Sequence, residues 1–423
     1  MQVTFEEWTR NREISTLGTN SGASVLPFQA WQRFKEAFAP ELVERAVRGS
    51  KVAVRSCLDP FAGSGTTPLA CQFLGVHPIA VEVSPYLADL IEAKLTSYQP
   101  DALMHDLAEV ARASHHAKSD VEQHFFAAPR TFVEPGVGRR WIFDRPVAER
   151  VVALLETIEE LTNRDHRRLF RVLLGGTLME VSNVVVNGKG RRYRRGWPSR
   201  DRPVASVDEL FVRSVNRAIE DVRRFSARRE LSFQVLRGDS RSLLTEVETA
   251  DLVVFSPPYP NSFDYTDIYN VELWTLGYLK DSLSNRDLRS STLSSHVQIA
   301  RTFAPRPEGS PTLDHTLRQL VSKRSGLWNP RIPEMVGAYF RDLLDVLDEV
   351  NRLLSPGGSA WMVVGDSRYG GTQVAVADIL AELLPQRRWR VESCEPFRSM
   401  RASAQQGGRK ELGENLLVIT PTR

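Results

Sequence analysis

The string Asp59-Pro60-Phe61-Ala62-Gly63-Ser64-Gly65-Thr66-Thr67 limits what this chain can fold into more than any other segment. It follows Val52–Leu58, a short apolar run that reads as a buried strand. A helical stretch follows it, runs to Leu74 and stops at Gly75, and Pro78–Val83 then reads as a second strand. Gly63 and Gly65 admit backbone angles that other residues resist, and they remove side chains that would block a ligand. Thr67 is placed to cap the helix, with Pro68 at its first position, where a missing N–H costs nothing. A strand, a Gly-rich turn, a helix and a strand open an α/β sheet, and ligands bind at the carboxyl ends of such strands.

The alternation continues. Phe233–Leu236, Leu252–Phe255, Ala360–Val364 and Asn415–Thr420 read as further strands. Glu41–Val47, Leu87–Leu95 and Tyr339–Leu354 read as helices, the last closed by Ser355-Pro356-Gly357-Gly358. This predicts a mostly parallel sheet covered on both faces. Two segments interrupt it. Residues 99–229 are largely helix-like and charged, as in Val147–Leu161 and Val207–Arg224, and read as a helical insertion. Residues 1–98 and 230–423 are then two parts of one split domain. Within the second part, residues 280–331 are polar and rich in Ser, Pro and Arg, and read as a loop insertion or lid.

The turn lacks the Lys of a phosphate-binding P-loop, and Pro68 stands where a dinucleotide fingerprint needs its third Gly. Pyrophosphate is therefore disfavoured. Glu82 closes the second strand, where a carboxylate accepts both hydroxyls of a ribose. Asp239, in Arg237-Gly238-Asp239-Ser240, is placed to accept from an adenine amino group. A nucleoside without phosphates fits these stations.

Leu252–Phe255 runs into Ser256-Pro257-Pro258-Tyr259. Two prolines cannot continue a ladder, so the chain leaves the sheet there, at the same edge as the Gly-rich turn. They also stiffen the loop. An aromatic amine is a poor nucleophile because its lone pair is delocalised into the ring. If the Ser256 hydroxyl and the Pro257 carbonyl accept its two hydrogens, the nitrogen pyramidalises and its lone pair becomes available. Tyr259 is placed to stack on the base. Such catalysis is orientation plus electrostatics, with little need of a strong base.

These two strings resemble the cofactor and catalytic motifs of the amino-group DNA methyltransferases, which make N4-methylcytosine or N6-methyladenine. Phe34–Leu42 resembles the segment that precedes their cofactor motif and helps hold the methionine end. The resemblance covers roughly residues 20–98 and 230–420. It implies a Rossmann-like seven-stranded methyltransferase sheet with an antiparallel last hairpin, and S-adenosylmethionine as cofactor. Asp59, Phe61, Ala62, Gly63, Ser64, Gly65, Thr66, Thr67, Glu82, Asp239 and Ser240 would bind the cofactor. Ser256, Pro257, Pro258 and Tyr259 would be catalytic. The Ser-Pro-Pro-Tyr spelling resembles the N4-cytosine members. N6-adenine in DNA and a base amine in RNA remain the alternatives, and a binding module with a degenerate site is the non-enzymatic one. Here the cofactor motif precedes the catalytic motif, whereas many N4-cytosine enzymes have the reverse. Asp239 and Ser256 are too close in sequence for a target-recognition domain between them, so recognition falls to one of the insertions or to another chain. The resemblance further implies double-stranded DNA with the target base flipped out, a cognate restriction endonuclease, and the cytoplasm of a prokaryotic cell.

Composition adds limits. With 55 basic and 52 acidic residues the net charge of +3 does not by itself indicate a polyanionic partner. Distribution does: Lys189, Arg191, Arg192, Arg194, Arg195, Arg200 and Arg202 face one acid, Asp201. Tyr193 and Trp197 are interleaved, so the segment pairs phosphate-neutralising cations with rings that stack on bases. The three cysteines lie far apart, and His77, His115 and His116 lack partners at metal spacing, so no metal is expected. The first residues are unlike a signal peptide, and no apolar run reaches membrane-spanning length. Asp264, Tyr265 and Asp366 are further candidates for the pocket, Asp264 equally for a helix cap. Asn183 and Asn187 are weaker ones.

Overall fold

The computed structural model describes residues 3–14, 17, 22–34, 36–187, 190–199, 203–401 and 411–422. Its central sheet has seven strands: β1 (Ser56–Asp59), β2 (His77–Glu82), β3 (Gln234–Arg237), β4 (Ala250–Phe255), β5 (Leu354–Gly365), β6 (Trp389–Arg401) and β7 (Glu411–Pro421). Their order across the sheet is β3-β2-β1-β4-β5-β7-β6. β3, β2, β1, β4 and β5 pair in parallel, and β7 runs antiparallel to both β5 and β6. This is the Rossmann-like α/β sheet with a final antiparallel hairpin. The chain builds outward from β1 through β2 and β3, then returns to lay β4 on the other side of β1. That reversal opens a crevice at the carboxyl ends of β1 and β4.

The apolar runs of the middle strands follow from their position. Leu252 and Val254 point into one core while Val253 and Phe255 point into the other. A strand covered on both faces has no polar side to show. Helix Ile332–Leu353 and helix Val376–Leu383 cover one face. Thr66–Leu74 and Pro85–Leu95 cover the other, where Arg145–Glu159, Arg164–Val181 and Ala205–Arg224 share the same core. The helices of the 99–229 segment are thus fastened to the sheet by common hydrophobic packing.

Three local readings are corrected. Helix Thr66–Leu74 begins one residue before Thr67, with Gly65 as its cap at φ 82°. Thr67 does not cap it. Its buried hydroxyl donates to the Val254 carbonyl at 3.2 Å and ties the helix to β4, so Pro68 sits third in the first turn. Residues 280–331, expected as a loop insertion or lid, carry helices. They hold helix Ser282–Ser290, capped by Asp281, and helix Pro311–Ser322, capped by Ser310 with Pro311 at its first position. Strand β6 was absent from the apolar runs because it is an edge strand carrying polar residues and bulges, at Val391/Ser393 and Pro396/Arg398. Among the described residues no helix is long and apolar enough to cross a membrane.

Candidate active site

The Gly-rich turn is held from every side by hydrogen bonds. Asp59 Oδ1 accepts from the Phe61 N–H at 2.9 Å, and Glu82 Oε2 accepts from the Gly63 N–H at 2.7 Å. The Ala62 N–H reaches the Val81 carbonyl at 3.1 Å. From below, the fully buried Lys94 donates to the Ser64 carbonyl at 2.6 Å and to Gln29 Oε1 at 3.0 Å. Gly63 (φ 53°) and Gly65 (φ 82°) both occupy the left-handed region. A Cβ on Gly63 would come within 2.9 Å of the Phe34 ring, and one on Gly65 within 2.9 Å of Ile91. Gly65 is therefore required by packing against helix Pro85–Leu95 rather than by ligand approach.

Turn and clamp open into one cavity. Asp59, Phe61, Ala62, Gly63, Ser64 and Thr66 line it, with Glu82 at the end of β2 and Asp239 and Ser240 after β3. All four residues Ser256, Pro257, Pro258 and Tyr259 line it too. Gly65 and Thr67 do not. From the preceding segment Phe34, Glu36, Ala37 and Phe38 contribute, whereas Lys35 lies outside the described residues. Five carboxylates line the cavity (Glu36, Asp59, Glu82, Asp239 and Glu414), with no Lys or Arg among its described residues. Such a lining repels phosphates and suits a cationic ligand. A phosphate-free sulfonium nucleoside fits it.

Burial governs two of the acids of this cavity, Asp59 and Glu82. It pushes the carboxyl of Asp59 up to about 7, against the hydrogen bonds from Phe61 and Thr67. It does the same to Glu82, also to about 7, against the N–H groups of Ser84 and Gly63 and helped by the nearby Asp59. Asp239 is engaged by Arg241, whose Nη2 lies 2.6 Å from Oδ2. The Ser240 hydroxyl donates to the Pro60 carbonyl and joins the β3 corner to the β1 corner.

At the clamp, Ser256 Oγ lies 3.1 Å from the Val363 carbonyl and 3.1 Å from the Tyr259 hydroxyl. Its single proton goes to one of these, which leaves lone pairs to accept from a ligand. The Tyr259 hydroxyl donates to Glu414 Oε1 at 2.6 Å. Burial, reinforced by Glu414, raises the Tyr259 phenol well above its ordinary range. Glu414 sits on β7 and was missed. Nothing local marks it, since the hairpin brings it back across the sheet. Tyr269, Thr292, Leu293, Ser295 and His296 also line the cavity and were likewise unmarked.

Other candidates are sorted by the geometry. Tyr265 lines the cavity but Asp264 does not. Asp264 caps helix Tyr265–Ile268 and accepts from Arg289 Nε at 2.9 Å. Burial pushes its carboxyl up, but His296, Thr266 and Arg289 outweigh it and hold it low. Asp366 accepts from the Val376 N–H and from Gln373, which makes it a structural residue outside the cavity. Asn183 is buried and donates to Asp144 at 2.9 Å, also outside the cavity. The side chain of Asn187 lies outside the described residues. His77 pairs with Ser232.

The basic segment forms a hairpin, Val184–Asn187 against Gly190–Tyr193, packed on helix Tyr265–Ile268 beside the cavity. Its arginines divide. Arg192 and Arg195 are exposed. Arg191 faces the buried Glu272, whose carboxyl burial raises to about 7 while Arg191 opposes the rise. Arg194 donates to the Met179 carbonyl at 2.6 Å and the Ser182 carbonyl at 3.3 Å, satisfying the end of helix Arg164–Val181. Tyr193 and Trp197 pack on each other at 4.8 Å, and Trp141 meets Trp197 edge-on at 5.0 Å. These rings hold the hairpin together instead of standing free. Arg139 and Arg140 are exposed on the turn before Trp141, and Arg140 adds charge beside Tyr193. Lys189, Arg200 and Arg202 lie outside the described residues.

No family model matches the chain. Full-length relatives do. The chain is 23% identical to the type II methyltransferase M.BsoBI of Geobacillus stearothermophilus, over 89% of this chain and 81% of that protein. It is 24% identical to the type II methyltransferase M.AvaI of a Nostoc species, over 97% and 91%. Among solved structures, a glycopeptide N-methyltransferase aligns over 90% of this chain and 86% of its own at 9% identity and a TM-score of 0.28, too loosely to add to the strand order. With its sheet, its two motifs and relatives matched along most of their length, the chain is similar to the type II methyltransferases, and S-adenosylmethionine is its cofactor.

Proposed function

We propose that the protein transfers the methyl group of S-adenosylmethionine to the exocyclic N4 amine of cytosine within a specific DNA sequence. The observation that carries this reading is the single acidic cavity shared by the Gly63 turn and the Ser256 clamp. When bound, the cofactor supplies an electrophilic methyl carbon whose bond to sulfur breaks as a bond to nitrogen forms.

The chain's own residues do the positioning. The turn from Asp59 to Thr66 receives the nucleoside, Glu82 accepts the ribose hydroxyls and Asp239 the adenine amino group. The Phe34–Phe38 segment flanks the methionine end. Ser256 Oγ and the Pro257 carbonyl hold the two hydrogens of the target amine and free its lone pair. Methylation leaves that nitrogen with one proton too many. The hydroxyls of Ser256 and Tyr259 are aligned to pass it to Glu414, each accepting one proton and releasing another. Because the cavity opens at the carboxyl ends of β1 and β4, a duplex base must be flipped out to enter it.

Residues 1–98 and 230–423 form the catalytic part in this reading, with 280–331 as an insertion that walls the cavity. The 99–229 insertion presents the basic hairpin to DNA, with Arg192 and Arg195, joined by Arg139 and Arg140, as phosphate contacts. A restriction endonuclease of the same specificity is the expected partner, in a prokaryotic cytoplasm. Methylome sequencing of a host carrying this chain tests base and site together. N4-methylcytosine confined to one recurring sequence supports the reading, whereas N6-methyladenine alone overturns the base.

A further inference from the structure

A second cavity lies at the same rim of the sheet. Arg241, Arg286, Arg301 and Arg331 converge on it, and Asp342 is the one carboxylate in its lining among the described residues. Arg331 immediately precedes helix Ile332–Leu353, which leads into the start of β5, so the cavity shares the carboxyl edge with the active site. The loop after helix Ser282–Ser290 separates the two: Thr292, Ser295 and His296 face the first cavity, Ser294 and Arg301 the second.

The cations here are arranged, not merely near one another. Asp342 is already shared by Arg241 Nη1 at 3.0 Å and the Ser294 N–H at 2.8 Å. Arg301 uses Nη1 and Nη2 to brace the carbonyls of Thr292 and Arg289, at 2.8 and 2.6 Å, yet its buried Nε has no hydrogen-bond partner. Arg331 donates to the Arg301 carbonyl and lies over the Phe303 ring at 4.8 Å. Arg286 is exposed and forms no ion pair among the described residues. Arg241 also holds Asp239, just outside the cavity, so two carboxylates answer four guanidiniums. Arg286, Arg301 and Arg331 converge without a carboxylate of their own, and with an unpaired buried N–H they lack an anion. The guanidinium fork matches phosphate oxygens.

We propose that this arginine-lined cavity binds a backbone phosphodiester of the DNA substrate. The inference rests on the reading of the protein as a DNA methyltransferase. It adds a contact that fixes the register of the duplex while the neighbouring cavity receives the base.

Arg286→Gln tests this with little risk to the fold, because the side chain is exposed. Binding of the full chain to a duplex it methylates is measured from 50 to 200 mM salt. The variant should lower the slope of log affinity against log salt by about one, with cofactor affinity kept. A single uncharged methylphosphonate linkage, moved along the duplex, should weaken the wild type at one position and leave Arg286→Gln indifferent there. Unchanged slopes in Arg286→Gln and in Arg286→Gln/Arg301→Gln, both still binding cofactor, would overturn the proposal. So would stabilisation of the wild type by inorganic phosphate, lost in the variants, without any change in DNA slope. If the wild type transfers no methyl group to DNA, the underlying reading fails instead, and this one with it.

Discussion

The Tyr259 hydroxyl donates to Glu414 across 2.6 Å, joining the loop after β4 to the antiparallel strand β7. The contact places a carboxylate at the far end of a short hydroxyl chain that begins at Ser256. Glu414→Gln keeps the shape and removes the proton acceptor. It should lower kcat by ~100-fold, in the range of positioned acid–base groups, with cofactor affinity kept. Adding Tyr259→Phe should cost little more, because residues acting as one unit are not additive. Stopped-flow kinetics of the two single variants and the double variant check this.

Ser256→Ala removes an acceptor for the target amine. Turnover should fall by ~10²–10³-fold, the usual effect of deleting one preorganised polar contact. Cofactor affinity measured by calorimetry should stay near wild type. An equal loss in both would contradict the role.

Asp59 and Glu82 are both held up to about 7 by burial, so both take up protons as the pH falls through that value. A cationic cofactor binds their ionised forms better. Affinity should therefore be weaker at pH 6 than at pH 8. Glu82→Gln, which still accepts from the Gly63 N–H, should lower affinity and flatten the dependence. Calorimetry at several pH values shows whether it does.

Lys94 supports the turn from beneath. Lys94→Met leaves the carbonyl of Ser64 and Gln29 Oε1 without this donor, at a cost of about 1–3 kcal/mol for a buried unsatisfied group. Thermal unfolding should show a lower Tm, and cofactor affinity should fall with it.

The hairpin arginines should separate by role. Arg192→Ala and Arg195→Ala should each reduce the salt slope of DNA binding by about one with Tm unchanged. Arg194→Ala should lower Tm, because the Met179 and Ser182 carbonyls lose their donor. Salt titrations and melting curves on the three variants distinguish these outcomes.

The parts legible in the sequence were those written in neighbouring residues. Leu252–Phe255 announced a doubly covered strand, and Asp59–Thr67 and Ser256–Tyr259 announced corners at one edge, which the cavity brings together. What stayed hidden depends on long-range pairing. Glu414 reaches Tyr259 only because β7 turns back beside β5. Lys94 reads as an ordinary helix lysine until the helix places it under Ser64. Arg194 reads like its neighbours, yet the end of a helix claims it. Thr67 was misread because capping is local, whereas its hydroxyl serves a strand 187 residues away.

The central claim is that one cavity aims a methyl donor at a base amine held by Ser256. Its most direct test incubates duplex DNA with cofactor carrying a labelled methyl group, digests the DNA and identifies the labelled nucleoside by mass spectrometry. Label on N4-methylcytosine, abolished or sharply reduced in Ser256→Ala, is the predicted result. Label on no nucleoside at all, or undiminished in Ser256→Ala, would contradict it.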